Sequence, residues 1–287
     1  MNDILCIVVT YNRLSDLKLC YEALQRQTMK RFDILVVNNG STDGTSEFLN
    51  EKSKEIIVIN QENLGGAGGF YAGMKYGLEH NYKWLWLMDD DGTPEEHQLE
   101  RLYSQREASM YLNALVLNKD NHDEFAFQPD DKRITLEKIC QNNPSNILVH
   151  PFNGTFFNIE MVKQIGLIKK EMFIWGDEKE YTFRAMAHGI TPVTITNAIH
   201  YHPKEKGIKQ YAIPFIHYRK TIILIKPSKL SHYYYRNLGY IDKTYRGALK
   251  SLKQVAIHAI FFIRKGEWKE LSKFIRFYLN GRNNKYN

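Results

Sequence analysis

Three consecutive carboxylates, Asp89, Asp90 and Asp91, directly follow an apolar run that ends at Met88. Side chains two residues apart in an extended chain point to the same side, so we expect Asp89 and Asp91 to act together. Paired carboxylates of this kind suit a hard cation such as Mg²⁺ or Mn²⁺, which can also hold a diphosphate. A plain polar turn at the end of a strand is the alternative. We favour the metal site because three adjacent acids repel one another.

A second polar segment, residues 36–45, reads VVNNGSTDGT and follows a predicted strand. The short side chains of Asn38 and Asn39, together with two glycines, would let a nucleotide approach the backbone closely. An ordinary turn with a helix cap at Thr42 or Asp43 is the alternative. By itself this segment leaves both interpretations open.

A glycine-rich segment, Asn63–Phe70, reads NLGGAGGF and precedes a predicted helix. Glycines in such number cost backbone entropy unless something must lie against the chain, and the start of a helix favours a phosphate. The spacing is not GxGxxG and no ribose-binding acid follows at the usual distance, which argues against a nicotinamide site. The segment contributes four candidate ligand-binding glycines: Gly65, Gly66, Gly68 and Gly69.

Alternating strands and helices must position these motifs. Apolar runs predict strands over Ile4–Thr10, Phe32–Val37, Glu55–Ile59 and Trp84–Met88, with helices over Leu14–Gln27, Thr45–Asn50 and Phe70–His80. This order is typical of an α/β fold with a doubly wound, mostly parallel sheet and helices on both faces. Ligands bind at the carboxyl edge of such sheets, where the polar motifs would meet.

The pattern loosens after residue 96. We expect an exposed loop over Asp120–Lys132, a strand over Asn153–Asn158, a helix over Glu178–His188, a strand over Thr191–Thr196, and helices over Lys243–Ile263 and Trp268–Leu279. The sequence therefore predicts an α/β domain over residues 1–230, with halves 1–95 and 96–230. A helical basic region over 231–287 follows it.

Charge is concentrated at the end of the chain. The 287 residues carry a net charge of +7, yet residues 243–287 hold eleven Lys and Arg against two acids. Their interleaving with aromatic and aliphatic residues is typical of helices that lie on an anionic membrane. A helix pair that packs on the body or forms a homo-oligomer is the alternative. The remaining residues are close to neutral, which argues against nucleic acid as a partner.

The cysteines, the apolar stretches and the start of the sequence indicate where in the cell the protein acts. Cys6, Cys20 and Cys140 are scattered without CxxC spacing, which argues against disulfides or zinc and fits a reducing cytoplasm. The apolar stretch Val255–Ile263 is shorter than the roughly 20 residues that span a bilayer. No secretory leader is visible after Met1. We expect a cytoplasmic protein held peripherally on the cytoplasmic face of the plasma membrane.

As a set, these motifs resemble the family 2 inverting glycosyltransferases with the GT-A fold. The matching pieces are Val8–Arg13, Asn38–Thr45, Asn63–Gly65 and Asp89–Asp91, within residues 3–205. The galactofuranosyltransferase and rhamnosyltransferase-like branch is the most similar, through the glycine-rich segment, Phe173–Glu178 with Tyr181 and Arg184, and Tyr233–Asn237. Asn38 is a departure, because many members carry Asp there, near the nucleobase.

The resemblance implies a role for each motif residue. Asp89 and Asp91, with His202 or His200, would hold Mn²⁺ or Mg²⁺ against the donor diphosphate. Glu178 would be the base that deprotonates the acceptor, with Asp177 as the close alternative. The residues expected to bind the nucleotide sugar are Thr10, Tyr11, Asn12, Arg13, Asn38, Asn39, Asn63, Gly65, Gly66, Gly68, Gly69 and Asp90. Residues 1–95 would then bind the donor and 96–230 the acceptor.

The expected activity is transfer of a sugar from a nucleotide donor to a growing glycan of O-antigen or capsule type, carried on a polyprenyl-diphosphate lipid. UDP-galactofuranose is the preferred donor and dTDP-rhamnose the alternative. A nucleotidyltransferase also uses paired aspartates, but it would show a glycine-rich signature with a basic residue at the first strand–helix turn. A non-enzymatic membrane-binding module would explain the basic helices but not the acidic motifs.

Overall fold

The computed structural model describes residues 2–127, 129, 134–147, 152–204, 208–211 and 221–286. The chain forms two compact units. The first comprises Met1–Lys170 and Tyr181–Lys204, and the second comprises Glu171–Glu180 and Glu205–Asn287. Each unit is described below by itself.

The first unit begins with alternating strands and helices. They are β1 (Ile4–Thr10), α1 (Leu14–Gln25), β2 (Phe32–Asn38), α2 (Thr45–Glu51), β3 (Ile57–Asn60), α3 (Gly65–Glu79) and β4 (Trp84–Asp89). The strands pair in parallel in the order β3-β2-β1-β4. All their carboxyl ends therefore meet at one edge of the sheet, which is where the polar motifs lie.

The chain continues with further strands, which extend this sheet, and with the helices and the turn between them. They are β5 (Thr93–Pro94), α4 (Gln98–Ser104), β6 (Tyr111–Asn118), β7 (Asn121–Phe125), α5 (Leu136–Ile139), β8 (Thr155–Asn158), α6 (Ile159–Ile165), a 3₁₀ turn (Lys170–Met172), α7 (Asp177–Ala187) and β9 (Val193–His202). The order continues β4-β8-β6-β9-β5, with β7 on β6. Strand β8 runs antiparallel to both neighbours, whereas β6 and β9 are parallel. The predicted α/β class is confirmed.

The predicted loop over Asp120–Lys132 is wrong where β7 forms. Strand β7 pairs antiparallel with β6, and Leu117 lies opposite Phe125. Its first three residues are exposed and polar, and only its end is buried. An edge strand of this kind has no apolar alternation, so its composition is that of a loop. Part of the predicted loop, residues 128 and 130–132, lies outside the described residues.

The sheet is covered on both faces. Along β1, Cys6 and Val8 face the layer that contains Leu17, whereas Ile7 and Val9 face a second layer. This alternation is the period of two that a strand imposes. Because both faces are buried, the central strands are apolar throughout, which explains why they were predictable.

Helix α3 begins at Gly65, so the prediction that it starts at Phe70 is wrong. The glycines expected to form a loop occupy the first turns of the helix. A Cβ built on Gly69, Gly73 or Gly77 would come closer than 3.0 Å to a side chain of the sheet. These three glycines are spaced by four residues and therefore lie on one helix face, which touches the sheet through its backbone. Close packing explains glycines in a helix that otherwise disfavours them.

The described part of the second unit contains two short strands and three long helices. They are β10 (Ile208–Tyr211), β11 (Thr221–Leu224), α8 (Ser231–Ile241), a π-helical turn (Asp242–Arg246), α9 (Ala248–Lys265) and α10 (Trp268–Arg282). The predicted helical C-terminal region is confirmed. Its core contains Tyr235, Phe262, Phe274 and Tyr278. Among the described residues, no helix has the length and apolar character to cross a bilayer.

Candidate active site

The end of β4 and the end of β9 bring two carboxylates and an imidazole together. Possible ligand atoms of Asp89, Asp91 and His202 all lie within 4.8 Å of one another. Strand β5 follows the acidic triplet directly and pairs with β9, with Thr93 opposite Tyr201. This pairing places His202, far away in sequence, beside Asp91.

The chemistry of this cluster fits a divalent cation. Carboxylates and a neutral imidazole are ligands for Mg²⁺ and Mn²⁺. His202 Nδ1 lies 2.7 Å from the Pro203 carbonyl, and its donated hydrogen bond leaves Nε2 toward Asp91. Fixing one ring nitrogen in this way orients the other as a ligand. His202 and Asp91 are largely buried, which would protect a bound ion from water.

His202 and Asp91 contact each other within this cluster. His202 Nε2 lies 3.0 Å from Asp91 Oδ1. Burial lowers the pKa of His202, but the carboxylate of Asp91 outweighs it and the net pKa is raised. Conversely, burial raises the pKa of Asp91, and His202 and Arg13 bring it below its ordinary value. A cation bound by both residues would displace the imidazole proton that the raised pKa of His202 favours.

Asp89 is held by a residue that the sequence did not single out. Asn153 Nδ2 donates to Asp89 Oδ2 at 3.3 Å, and Asp89 N lies 3.4 Å from Asn153 Oδ1. Asn153 is buried just before β8, which pairs with β4. The only sequence signal was a polar Asn–Gly pair in front of an apolar strand.

Asp90 points away from the cluster into the protein. Thr10 Oγ1 donates to Asp90 Oδ2 at 2.7 Å, and Arg13 Nη1 lies 3.2 Å from Asp90 Oδ1. Burial raises the pKa of Asp90 to about 6. The Tyr11 backbone N also contacts this carboxylate. Asp90 therefore fastens the β1–α1 turn instead of facing its two neighbours.

Arg13 links the two sides of the triplet. Its Nη1 contacts both Asp90 and Asp91, and its side chain is 48% exposed. Asp91 consequently faces a cationic partner through each oxygen, His202 on one and Arg13 on the other. An arginine that is half exposed here can turn toward an anion such as a phosphate.

His200 lies outside the carboxylate cluster, although both histidines are in β9. It is fully buried and Gln98 Nε2 lies 3.2 Å from its Nδ1. Its Nε2 faces Gly92, where a Cβ would come closer than 3.0 Å. Burial lowers the pKa of His200 to about 3, so the ring is neutral. The structure thus brings His202, and not His200, to Asp89 and Asp91.

The two asparagines after β2 tie the sheet edge together. Asn38 Nδ2 donates at 3.0 Å to both Ser46 Oγ and Asn60 Oδ1. Asn39 Nδ2 donates to the Gly65 carbonyl at 3.1 Å. Both side chains are almost completely buried. Their amides therefore connect the end of β2 with α2, β3 and the start of α3 at this edge.

The remaining predicted nucleotide-binding residues lie at the same edge. Asn12 Oδ1 accepts from the Thr42 backbone N at 2.7 Å, which joins the β1 and β2 turns. Asn63 Oδ1 accepts from Gly65 N at 3.0 Å at the start of α3. Tyr11 is 46% exposed. Gly66 has open space around it, and Gly68 packs against its own helix turn.

The two candidates for the catalytic base, Asp177 and Glu178, lie at the start of α7. Asp177 is buried and Glu178 is half-buried. One turn later, the carboxylate of Glu180 accepts from Tyr245 Oη at 2.8 Å. These residues belong to the second unit, whereas the carboxylate cluster belongs to the first.

The fold and the site define a glycosyltransferase. Residues 5–227 match the family model described as glycosyl transferase family 2, and the chain belongs to that family. Members of this family generally depend on a divalent cation, and the Asp89–Asp91–His202 cluster is a possible site for one.

Particular relatives refine this class. The chain is 29% identical over 215 residues to galactofuranosyltransferase GlfT1 of Mycolicibacterium smegmatis, covering 70% of this chain and 71% of that protein. It is 26% identical to GlfT1 of Mycobacterium tuberculosis, covering 99% and 96%. A solved structure of S. aureus TarS 1-349 in complex with UDP-GlcNAc has a TM-score of 0.59 at 14% identity, covering 98% of this chain and 81% of that one. The expected GT-A fold is confirmed.

Proposed function

We propose that this chain is a metal-dependent, inverting galactofuranosyltransferase that uses UDP-galactofuranose as its donor. The main observation behind the proposal is the Asp89–Asp91–His202 cluster at the ends of β4 and β9 in a family 2 fold. Similarity to a galactofuranosyltransferase over almost the whole chain supports the choice of sugar. The acceptor is a growing cell-surface glycan on a polyprenyl-diphosphate lipid.

Asp89, Asp91 and His202 would hold the cation. Bound there, a divalent ion would neutralise charge on the leaving nucleotide diphosphate. Arg13 supplies a further positive charge beside this position, because its guanidinium already reaches Asp91. Thr10 and Asp90 keep the β1–α1 turn in place, so that Tyr11 and Arg13 face the donor.

Glu178 is the proposed base. The acceptor hydroxyl oxygen attacks the anomeric carbon, the bond to the diphosphate oxygen breaks, and the hydroxyl proton passes to the carboxylate. Greater exposure than Asp177 makes Glu178 the more accessible of the two. One in-line displacement of this kind inverts the configuration of the sugar.

A donor panel tests the proposed reaction. Purified protein with Mn²⁺ and a synthetic lipid-linked acceptor should release UDP from UDP-galactofuranose, and NMR of the product should show inverted configuration. Release from dTDP-rhamnose alone would replace the sugar assignment and keep the class. If neither donor turns over, the proposed function fails.

We propose further that α9 lies on an anionic membrane. Leu249, Leu252 and Ile263 are 86%, 67% and 48% exposed. At 3.6 residues per turn they share one stripe, and Lys253 and Arg264 flank it. Exposed apolar residues beside basic ones match the boundary between acyl chains and anionic headgroups. This placement would bring the enzyme to a lipid-linked acceptor.

Vesicle sedimentation tests this attachment. The intact protein should sediment with phosphatidylglycerol-containing vesicles at low salt and less so at high salt, because each basic residue contributes roughly 1 kcal/mol that salt screens. The double variant Leu249→Ser, Leu252→Ser should bind less while keeping its circular dichroism. The contrary result is that the intact protein fails to bind at low salt and forms a dimer, seen by light scattering, that dissociates in the double variant. That result would contradict membrane attachment and assign the stripe to a homo-oligomer interface.

A further inference from the structure

The backbone directly before the two candidate catalytic carboxylates, Asp177 and Glu178, is strained. Phe173 and Trp175 have φ values of 66° and 62°, and Gly176 has a φ of 103°. For residues with a Cβ, such left-handed conformations are unfavourable and persist only where the surroundings hold them. Helix α7 begins at the next residue, Asp177. The direction in which this helix starts therefore depends on what holds the turn.

One side chain of α8 hydrogen-bonds to three backbone carbonyls of this turn. Asn237 Nδ2 lies 2.9 Å from the Met172 carbonyl, 3.0 Å from that of Ile174 and 2.9 Å from that of Trp175. A side-chain amide has only two N–H groups, so three acceptors share them. Asn237 is fully buried, and its Oδ1 has no hydrogen-bond partner among the described residues. The N–H groups of the Asn237 amide therefore make its hydrogen bonds, and its carbonyl oxygen makes none among the described residues.

Neighbouring residues of α8 contact the same segment. Arg236 Nη2 donates to the Glu171 carbonyl at 2.7 Å. The ring of Tyr233 stacks on Phe173 with centroids 4.3 Å apart. Residues three and four apart share a helix face, so Tyr233, Arg236 and Asn237 present one surface to the turn.

Gly176 permits this approach. A Cβ built on Gly176 would lie 3.4 Å from the Cβ of Asn237 and 3.3 Å from Ile241 Cδ1. The turn therefore rests directly on α8. Helix α8 is fixed in its own place by α10, because a Cβ on Gly239 would overlap the Tyr278 carbonyl. The helix that contacts the turn is therefore itself closely packed against α10.

We propose that Asn237 is a positioning residue for the Asp177–Glu178 pair. By donating to three carbonyls it keeps the 173–176 turn in its strained form, and that form sets where the Glu178 carboxylate lies. The inference rests on the proposed function, in which Glu178 is the base. Asn237 itself touches neither donor nor acceptor in this scheme.

Isosteric replacement tests the role. Asn237→Asp keeps the shape but puts a second acceptor oxygen in place of the N–H donors, so that it repels the three carbonyls. Asn237→Ser keeps one donor and serves if the first variant does not fold. Asn280→Asp, at a half-buried position of α10, is the matched control for the change of Asn to Asp in the same unit.

We expect Asn237→Asp to lower kcat by about 10²-fold, since a displacement near 1 Å of a catalytic group has that effect. Asn237→Ser should lower kcat by a smaller factor. The dissociation constant for UDP, measured by calorimetry, should stay within twofold in both. Asn280→Asp should match the wild type in both measurements. An unchanged kcat, or an equal loss of UDP affinity, would overturn the positioning role.

A double-mutant cycle separates this proposal from the assignment of the base. If Asn237 acts through Glu178, adding Asn237→Ser to Glu178→Gln should reduce kcat by less than twofold further. If the double variant instead lost kcat by the product of the two single-variant factors, the two residues would act independently, which would contradict a role through Glu178. Activity in both Glu178→Gln and Asp177→Asn would instead refute the base assignment itself, whatever Asn237 does.

Discussion

Replacement of Gly73 by alanine should destabilise the protein, although alanine is the better helix former. A Cβ at this position would overlap Ile7 Cγ2 and lie 3.3 Å from Ile7 Cγ1 and Cδ1. Ile7 is fully buried in the central strand, and its branched Cβ leaves little freedom to turn away. Helix α3 would have to retreat by roughly 1 Å to restore ordinary carbon–carbon contact.

The two opposing effects can be compared. Alanine gains about 1 kcal/mol over glycine in a helix interior. Overpacking of a dense core costs about 1–3 kcal/mol, and the stiff partner places this case at the upper end. The free energy of unfolding of Gly73→Ala should therefore fall by about 2 kcal/mol.

Urea denaturation measures this change, and Gly66→Ala is the matched control. A Cβ on Gly66 meets nothing within 4 Å, so this variant should be as stable as the wild type or up to about 1 kcal/mol more stable. Ile7→Leu removes the Cγ2 branch and should partly restore Gly73→Ala in the double variant. A Gly73→Ala protein at least as stable as the wild type would refute the close packing of α3 on the sheet.

Further predictions concern the base, the cation and pH. Glu178→Gln should keep UDP affinity and lower transfer by about 10²-fold or more, as loss of a general base does. Arg13→Met should tighten Mn²⁺ binding without nucleotide, measured by calorimetry, because Asp91 then loses a competing cation. Burial lowers the pKa of His258 from 6.5 to about 4. Stability from this neutral histidine is therefore present above pH 6.5 and lost as the pH falls toward 4, by about 2 kcal/mol between pH 7 and pH 5.

Each of these predictions has its own control. Asp177→Asn should remain active if Glu178 is the base, and the reverse pattern would exchange their roles. Arg31→Met removes an exposed arginine directly before β2, at the opposite end of the parallel strands from the triplet, and should leave Mn²⁺ affinity unchanged. His258→Gln should show a smaller loss of stability between pH 7 and pH 5 than the wild type, and equal slopes would contradict the neutral buried state of His258.

The sheet around the site was predictable because its strands are buried on both faces. Runs such as Ile4–Thr10 contain no polar residue before their ends, and the acidic triplet marks the end of β4. The start of α3 was mispredicted because glycine disfavours helices locally, whereas contact with the sheet favours it at Gly69 and Gly73. Tertiary packing decided against local propensity.

The choice between His200 and His202 could not be made from sequence. Alternation places both on one side of β9, and only the surroundings distinguish them: Gly92 and Gln98 cover His200, whereas Asp91 meets His202. Asn237 is a similar case. Its three carbonyl partners lie more than 60 residues earlier, and no local pattern joins them.

The cation requirement of donor turnover tests the central claim most directly. Transfer from UDP-galactofuranose should stop in excess chelator and return with added Mn²⁺, whereas Asp91→Ala should be inactive at every Mn²⁺ concentration and still fold. Asp123→Ala, which removes an exposed carboxylate of β7, is the matched control and should behave as the wild type. Full activity in chelator, or in Asp91→Ala, would contradict a cation held by Asp89, Asp91 and His202.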